Sequence, residues 1–456
     1  MSTTPAPAAA TALVTRTPRT LWVWTATAAL ASFLFGYTSA VISGANLFIR
    51  DDLHLGTVAQ SALVSLFLAG AAAGALTAGR LADRLGRRRT FLAVGVLFLA
   101  GTVLAFTAPG LTVLLVGRSI QGAAAGIGSA LVPMYLAELA PARIRGRLVS
   151  VNQLLLTLGL LAAFLVDWAL SGSGDWRLMF AVALVPALLL LLGLARLPES
   201  PSWLAARGRT SAARAVLERI QSREQADAVL TGLHAARAER ADGPKGLRSL
   251  TGRAVKRAVV VGVALAVLQQ FVGINAVMYF APTVMKGTGL NASNSIAYSV
   301  AIGVINVIAT VVAMTLVDRW GRRPLLLVSL AGMFIALVPL GATFVWHLPA
   351  SHVIALVALL GYVVAFAIGM GPVFWLLASE IFPPSVRATG MGLSTTVVWI
   401  SNLLVGQFFL SVAAGIGQGE TFWLFAVACV LGFVFVRRRV PETKGRNAAQ
   451  IQAALT

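Results

Sequence analysis

The segment Asp83-Arg84-Leu85-Gly86-Arg87-Arg88 returns as Asp318-Arg319-Trp320-Gly321-Arg322-Arg323, 235 residues further on. Two more pairs follow in the same order. Glu138 stands seven residues before Arg145, and 242 residues later Glu380 stands seven before Arg387. Pro198-Glu199-Ser200 returns as Pro441-Glu442-Thr443, offset by 243. Three matched pairs in one order mean that the chain is built from two parallel copies of one unit.

Each motif closes a long apolar stretch. Of 456 residues, 58% are hydrophobic and 11% charged, against about a quarter charged in a soluble domain. One apolar run of ~20 residues crosses a bilayer. Such runs occur at about 22–46, 58–79, 90–108, 111–136, 149–169, 178–196, 257–284, 296–317, 324–346, 353–379, 390–413 and 421–436. Lipid offers open backbone no partner, so each is expected to be a helix. The fold class expected is an all-α membrane protein with twelve transmembrane helices in two pseudo-symmetric six-helix bundles. Its divisions are a disordered cytoplasmic tail 1–20, an N-terminal bundle 21–196, a linker 197–256 with short amphipathic helices, a C-terminal bundle 257–438 and a cytoplasmic tail 439–456.

The net charge is +20, but its distribution argues against nucleic acid as a partner. Of 36 Lys and Arg, Arg50, Arg177 and Lys286 fall on one side and Arg118 within a span; the other 32 fall on the opposite side. That is the positive-inside pattern, which places both termini in the cytoplasm of a plasma (cell inner) membrane. Arg outnumbers Lys 32 to 4, a usage that points to a GC-rich bacterial genome. Cys429 is the single cysteine and the four histidines are scattered, so no metal site and no cofactor is expected. A monomer is expected.

The chain resembles the sugar porters of the major facilitator superfamily, from about Leu34 to Arg446. The resemblance is carried by GRLADRLGRRR (79–89), PMYLAELAPARIRG (133–146) with Gln153 beyond it, PESPSW (198–203), QQFVGINAVMY (269–279), VDRWGRRP (317–324), GPVFWLLASEIFP (371–383) with Arg387, and PETKGR (441–446). It implies sugar transport by alternating access.

Residue chemistry points the same way. Gln269, Gln270, Asn275 and Tyr279 lie in the seventh span, the last three at spacings of five and four that keep roughly one helical face. Amides are costly in lipid unless they meet partners or line a wet cavity. They both donate and accept, as hydroxyls do, so they suit a neutral polyhydroxyl ligand. Gln153 and Asn306 add amides from other spans, and Trp375 offers a ring face to a sugar's C–H face. Gly371-Pro372 is expected to break the tenth helix. The family carries its substrate residues at these positions; Phe35, Trp399 and Asn402, one turn beyond Trp399 toward the outer side, complete the candidate set. Val398 departs, since the family usually has Asn or Gln before this Trp; one hydroxyl contact is missing or moved. The competing explanation for the amides is hydrogen bonding between helices.

Asp83, Arg84, Glu138, Arg145, Asp318, Arg319, Glu380 and Arg387 gather where spans meet the cytoplasm. They are expected to gate the inner side, with carboxylates of one bundle on guanidiniums of the other when that side is closed and the pairs broken when it opens. Topological anchoring is the alternative. Gly117, Gly122, Gly126 and Gly128 of the fourth span are expected to allow close helix packing.

The stretch Phe35-Gly36-Tyr37-Thr38 bears on coupling. Proton-coupled sugar porters have Asp at the place of Thr38, facing an arginine at the place of Arg118. Span centres here hold no Asp, Glu, His or Lys; Asp167 is near the outer end of the fifth span. A buried guanidinium without an acid needs hydroxyls, carbonyls or water, and the Thr38 hydroxyl is expected to serve Arg118. Facilitated diffusion is therefore the preferred expectation. Proton-coupled symport by another path is the alternative, and transport of a polyol or other small solute, or a non-transporting sensor, stands behind both. An enzyme would need a cluster of acids, His or metal ligands. A multidrug exporter is expected to have a more apolar cavity.

Overall fold

In a computed structural model, residues 19–141, 144–241, 250, 253–346, 348–383, 386–446 and 448–455 are described. The side chains of Arg145 and Asp318, both expected at the gate, lie outside the described residues, as do residues 1–18 of the expected tail. Helices of membrane-crossing length and composition number twelve among the described residues. They are Arg19–Asp52, Thr57–Leu85, Arg87–Phe106, Leu111–Leu139, Val151–Ala169, Trp176–Gly193, Val255–Lys286, Ala292–Val317, Arg322–Val345, Ser351–Ile381, Thr389–Ile416 and Gln418–Arg439. Below, these are the first to twelfth spans. The linker carries three short helices, Pro201–Ala206, Thr210–Leu217 and Arg223–Ala241, and the tail one, Ala448–Leu455.

The duplication is visible in the packing. In the first half, span 1 packs on 5, span 2 on 4 and span 3 on 6; in the second, 7 packs on 11, 8 on 10 and 9 on 12. The halves meet where span 2 lies on 11 and span 5 on 8, which is one contact seen twice through a pseudo-twofold axis. Small residues set the closest approaches. A Cβ at Gly122 or Gly126 would collide with the carbonyls of Phe67 and Ala71, and one at Gly70 or Gly74 with those of Ser119 and Ala123. Spans 2 and 4 thus interlock through two small-residue stripes four residues apart, the packing that lipid favours.

Two spans are broken. The seventh stops at Phe271 and restarts at Ile274, with Gly273 at φ +94°. The freed Val272 carbonyl accepts from the Tyr362 hydroxyl at 2.8 Å. The tenth stops at Ile368 and restarts at Met370. Its break therefore falls at Gly369, two residues before the expected Gly371-Pro372. Pro372 lacks the N–H that would bond Ile368; breaking upstream puts the proline in the first turn of the next helix, where that N–H is not needed. The Met370 N–H goes to the Ser329 hydroxyl at 3.0 Å.

At the arginine-rich end the motifs form pairs within each half. The pairing across the halves is expected with that end closed; here, where it is open, Glu138 and Glu380 pair within their own halves. Arg87 grips Glu138 with two hydrogen bonds, 2.8 and 3.0 Å, and reaches Asp83 at 3.3 Å. Arg322 grips Glu380 the same way, at 2.8 and 3.2 Å. Glu199 and Glu442 accept from the first N–H groups of the third and ninth spans, at Arg87 and Arg322, 2.7 and 3.0 Å away. A carboxylate at a helix N-terminus is favoured by the helix dipole and by the unsatisfied N–H groups. The second arginine of each pair, Arg88 or Arg323, donates to a carbonyl near the end of its half's last span, Leu194 or Arg437. The tight turns at Gly86 and Gly321, φ +90° and +91°, aim these side chains into their own half. Arg84 and Arg319 are exposed and form no ion pair with the described residues. Arg387 donates to the Phe382 carbonyl at 3.4 Å.

Glu442 links this network to pH. Burial pushes its carboxyl up, but the N–H donors of Lys444, Arg322, Arg323 and Thr443 outweigh burial and hold it below the ordinary value of 4.5. A depressed folded-state value stabilises above the ordinary value, and that contribution is lost as pH falls through the folded one. The melting temperature in detergent should therefore fall on acidification below about pH 4.5. Glu442→Gln should lower it at neutral pH and flatten that slope. An unaltered slope in the variant would remove Glu442 as its origin.

Candidate functional site

The break in the seventh span assembles the amides. Gln269 and Gln270 end one helix; Asn275 and Tyr279 begin the next. The sequence reading put Gln270, Asn275 and Tyr279 on one continuous face. Instead Gln270 and Asn275 meet across the turn at Gly273, where Asn275 Nδ2 donates to Gln270 Oε1 at 2.7 Å. Gln270 Nε2 donates to Gln269 Oε1 at 3.3 Å, and Gln269 Nε2 to the carbonyls of Met370 and Gly371 at 3.4 Å each. One chain of hydrogen bonds thus joins the two broken spans.

Around it stand aromatic rings. Trp399 is 6% exposed and its ring centre lies 5.8 Å from that of Phe35, the member of this group that the first half contributes. Asn402, one turn beyond Trp399, donates through Nδ2 to the Tyr279 hydroxyl at 3.3 Å; its Oδ1 has no partner among the described residues. Trp375, one turn beyond Gly371, is 42% exposed and meets Phe374 edge to face. Val398 is buried. Gln153 is exposed and Asn306 half-buried, on the two spans through which the halves touch; their side chains make no hydrogen bond to the described residues. The structure therefore brings together Gln269, Gln270, Asn275 and Gly371, joins Tyr279 to Asn402 and Phe35 to Trp399, and links neither Gln153 nor Asn306 to them by a hydrogen bond. Neither break was placed by the reading of residues; Gly273, flanked by amides, was the available signal for the first.

Thr38 is fully buried, and its hydroxyl donates to the Leu34 carbonyl at 2.7 Å. The expectation that this hydroxyl serves Arg118 is corrected: Thr38 offers its backbone carbonyl, which accepts from Arg118 Nη1 at 2.6 Å. Arg118 is fully buried too. It donates to the Leu63 carbonyl at 3.1 Å and to Gln121 Oε1 at 3.0 Å, and lies 4.5 Å over the Phe67 ring. Its Nη2 has no partner among the described residues. Asp167 is also fully buried. One carboxyl oxygen accepts the Gly44 N–H at 3.1 Å, the other has no partner, and no cation among the described residues pairs with it. No group of three or more His, Cys, Asp or Glu that would hold a metal occurs among the described residues.

Contacts between the halves gather toward the arginine-poor ends. Ser171 and Ser293 share a hydrogen bond at 2.8 Å, and the Ser65 hydroxyl donates to Gln407 Oε1. At the arginine-rich end, Arg322, Glu380, Arg387 and Arg446 line an open cleft.

Comparison with known proteins agrees. The inward open structure of the xylose transporter XylE from E. coli has a TM-score of 0.83 at 31% identity, over 95% of this chain and 99% of that one. A partially occluded inward open structure of XylE scores 0.83 at 32%, over 94% and 100%. The galactose-proton symporter of Escherichia coli (strain K12) is 38% identical over 94% of this chain and 93% of its own. The plastidic glucose transporter 4 of Arabidopsis thaliana is 38% identical over 94% and 79%. Residues 24–455 match the family described as "Sugar (and other) transporter". With the amide chain, the paired six-helix halves and this match in hand, the chain belongs to that family of the major facilitator superfamily.

Proposed function

We propose that this protein carries a monosaccharide, hexose or pentose, across the plasma membrane by alternating access, as a facilitator. The observation that carries the sugar reading is the hydrogen-bonded chain Gly371–Gln269–Gln270–Asn275 at the helix breaks. It presents neutral donors and acceptors at a point where two spans have given up their regular backbone, and it holds no fixed charge. A hydroxyl-rich neutral ligand fits that chemistry. Trp375 and Trp399 supply ring faces for the apolar side of a sugar ring. Relatives named for galactose, glucose and xylose support a monosaccharide. The arginine-rich end is assigned to the cytoplasm by the positive-inside rule. Gating by pairs that form across the halves when that end closes is part of this reading; the open cleft at Glu380 and Arg387 supports it by leaving both reachable from the cytoplasm.

The facilitator reading rests on Thr38 and Arg118. Thr38 spends its hydroxyl on its own helix, and Arg118 is held by two carbonyls and an amide. The guanidinium thus has a neutral cradle, with no acid that must gain or lose a proton. One observation favours a second reading, proton-coupled symport: Asp167 is buried without a cation, as a proton-carrying carboxyl would be.

Gln270→Ala and Asn275→Ala should each weaken sugar binding by about 1–3 kcal/mol, since each leaves a buried polar partner unpaired in the complex. Their melting temperatures should stay within a few degrees of the parent. Calorimetric titration with the transported sugar checks this, and unchanged affinity in both variants would remove the site.

In liposomes holding only this protein, an imposed pH difference, acid outside, should give no uphill sugar accumulation. Accumulation abolished by a protonophore would overturn the facilitator reading; its loss in Asp167→Asn would then assign the proton to Asp167.

A further inference from the structure

Asn46 lies near the arginine-poor end of the first span and is 1% exposed. Neither Oδ1 nor Nδ2 of its amide has a hydrogen-bond partner among the described residues. Helix geometry says which way it faces. At about 100° per residue, Asn46 lies within roughly 20° of Phe35, eleven residues earlier, on the same face of the span. Phe35 meets Trp399 of the second half. Gly44, about 200° around the helix from Asn46, meets Asp167 of the first half. Asn46 thus stands about three turns beyond Phe35 on the face turned toward the second half. There the first span packs on Ile274–Lys286, the far part of the seventh. With the halves in contact at this end, the amide is sealed in a closed gate with nothing to bond.

We propose that Asn46 is a polar gate residue that destabilises closure of the arginine-poor end and thereby sets the balance between the two transport states. A buried amide without partners raises the free energy of the closed gate by the cost of its lost hydration. Parting of the halves returns water to the amide and removes that cost. The closed gate is held by Ser171–Ser293, Ser65–Gln407 and the Phe35–Trp399 contact, and Asn46 opposes them. A transporter must leave each state readily, so a gate that is not too stable serves turnover. The inference rests on the alternating-access reading but on neither the sugar nor its coupling.

The test is conformational and needs no substrate. The buried Cys429 is replaced by Ser, and spin labels are placed through Gly56→Cys and Gly415→Cys. Both positions lie toward the arginine-poor end, one in each half, with open space around them. Pulsed distance measurement in liposomes then gives the ratio of open to closed gate. Asn46→Leu should lower that ratio on the order of tenfold or more, because the leucine has no polar group to desolvate. Asn46→Ser, smaller and still polar, should fall between parent and leucine variant, and keeps the test available if leucine does not fit. An unchanged ratio in both variants, or a gate that opens more in either, would overturn the proposal. Loss of sugar transport with the predicted ratio change would leave it standing, since the distances are read without sugar.

Discussion

Hydrocarbon offers a polar group no hydrogen bond, and that constraint places every informative side chain in these twelve spans. A buried group must find a partner in the protein, reach water or carry its cost. Arg118 takes the first course, with the Thr38 and Leu63 carbonyls and the Gln121 amide around it. The seventh-span amides do the same by linking to one another and to the carbonyls of Met370 and Gly371 at the start of the restarted tenth helix. Asn46 and one oxygen of Asp167 are among the groups that take the last, buried without a partner among the described residues.

The duplication was the most legible feature. Motifs such as Asp83–Arg88 and Asp318–Arg323 recur as strings because each builds the same local arrangement, with a turn at glycine, a grip on a glutamate and a carboxylate over a helix start. Spans were legible by length and apolarity. The partner of each charge was not. Glu138 sits as near in sequence to Arg145 as Glu380 does to Arg387, and spacing does not name the arginine that each glutamate meets with the inner side open. The positive-φ turn at Gly86 decides the matter by turning Arg87 back under the fourth span. A sequence records that such a turn is permitted, not which side chain arrives beneath it.

The candidate site shows the same limit. Gln269, Gln270, Asn275, Tyr279, Trp399 and Asn402 were legible because polar or aromatic residues stand out in an apolar run. Their mutual geometry was not, since it depends on breaks. Gly273 interrupts what was read as one helical face, and it is the interruption that lets Asn275 reach Gln270. Pro372 announced a break, yet the chain yields at Gly369, where backbone can turn before the proline. The role of Asp167 was hidden for a related reason: its burial depends on Gly44 leaving room for it on the neighbouring span.

The central claim is that this fold moves a monosaccharide through a neutral amide site. Counterflow in proteoliposomes preloaded with unlabelled sugar tests it most directly, using labelled hexoses, pentoses, a polyol and an amino acid in turn. The account predicts transient accumulation of at least one hexose or pentose, competed by its unlabelled form and lost when Gln270 and Asn275 are both replaced by alanine. Accumulation of none of the sugars by protein shown to be folded, or accumulation that survives the double replacement, would contradict it.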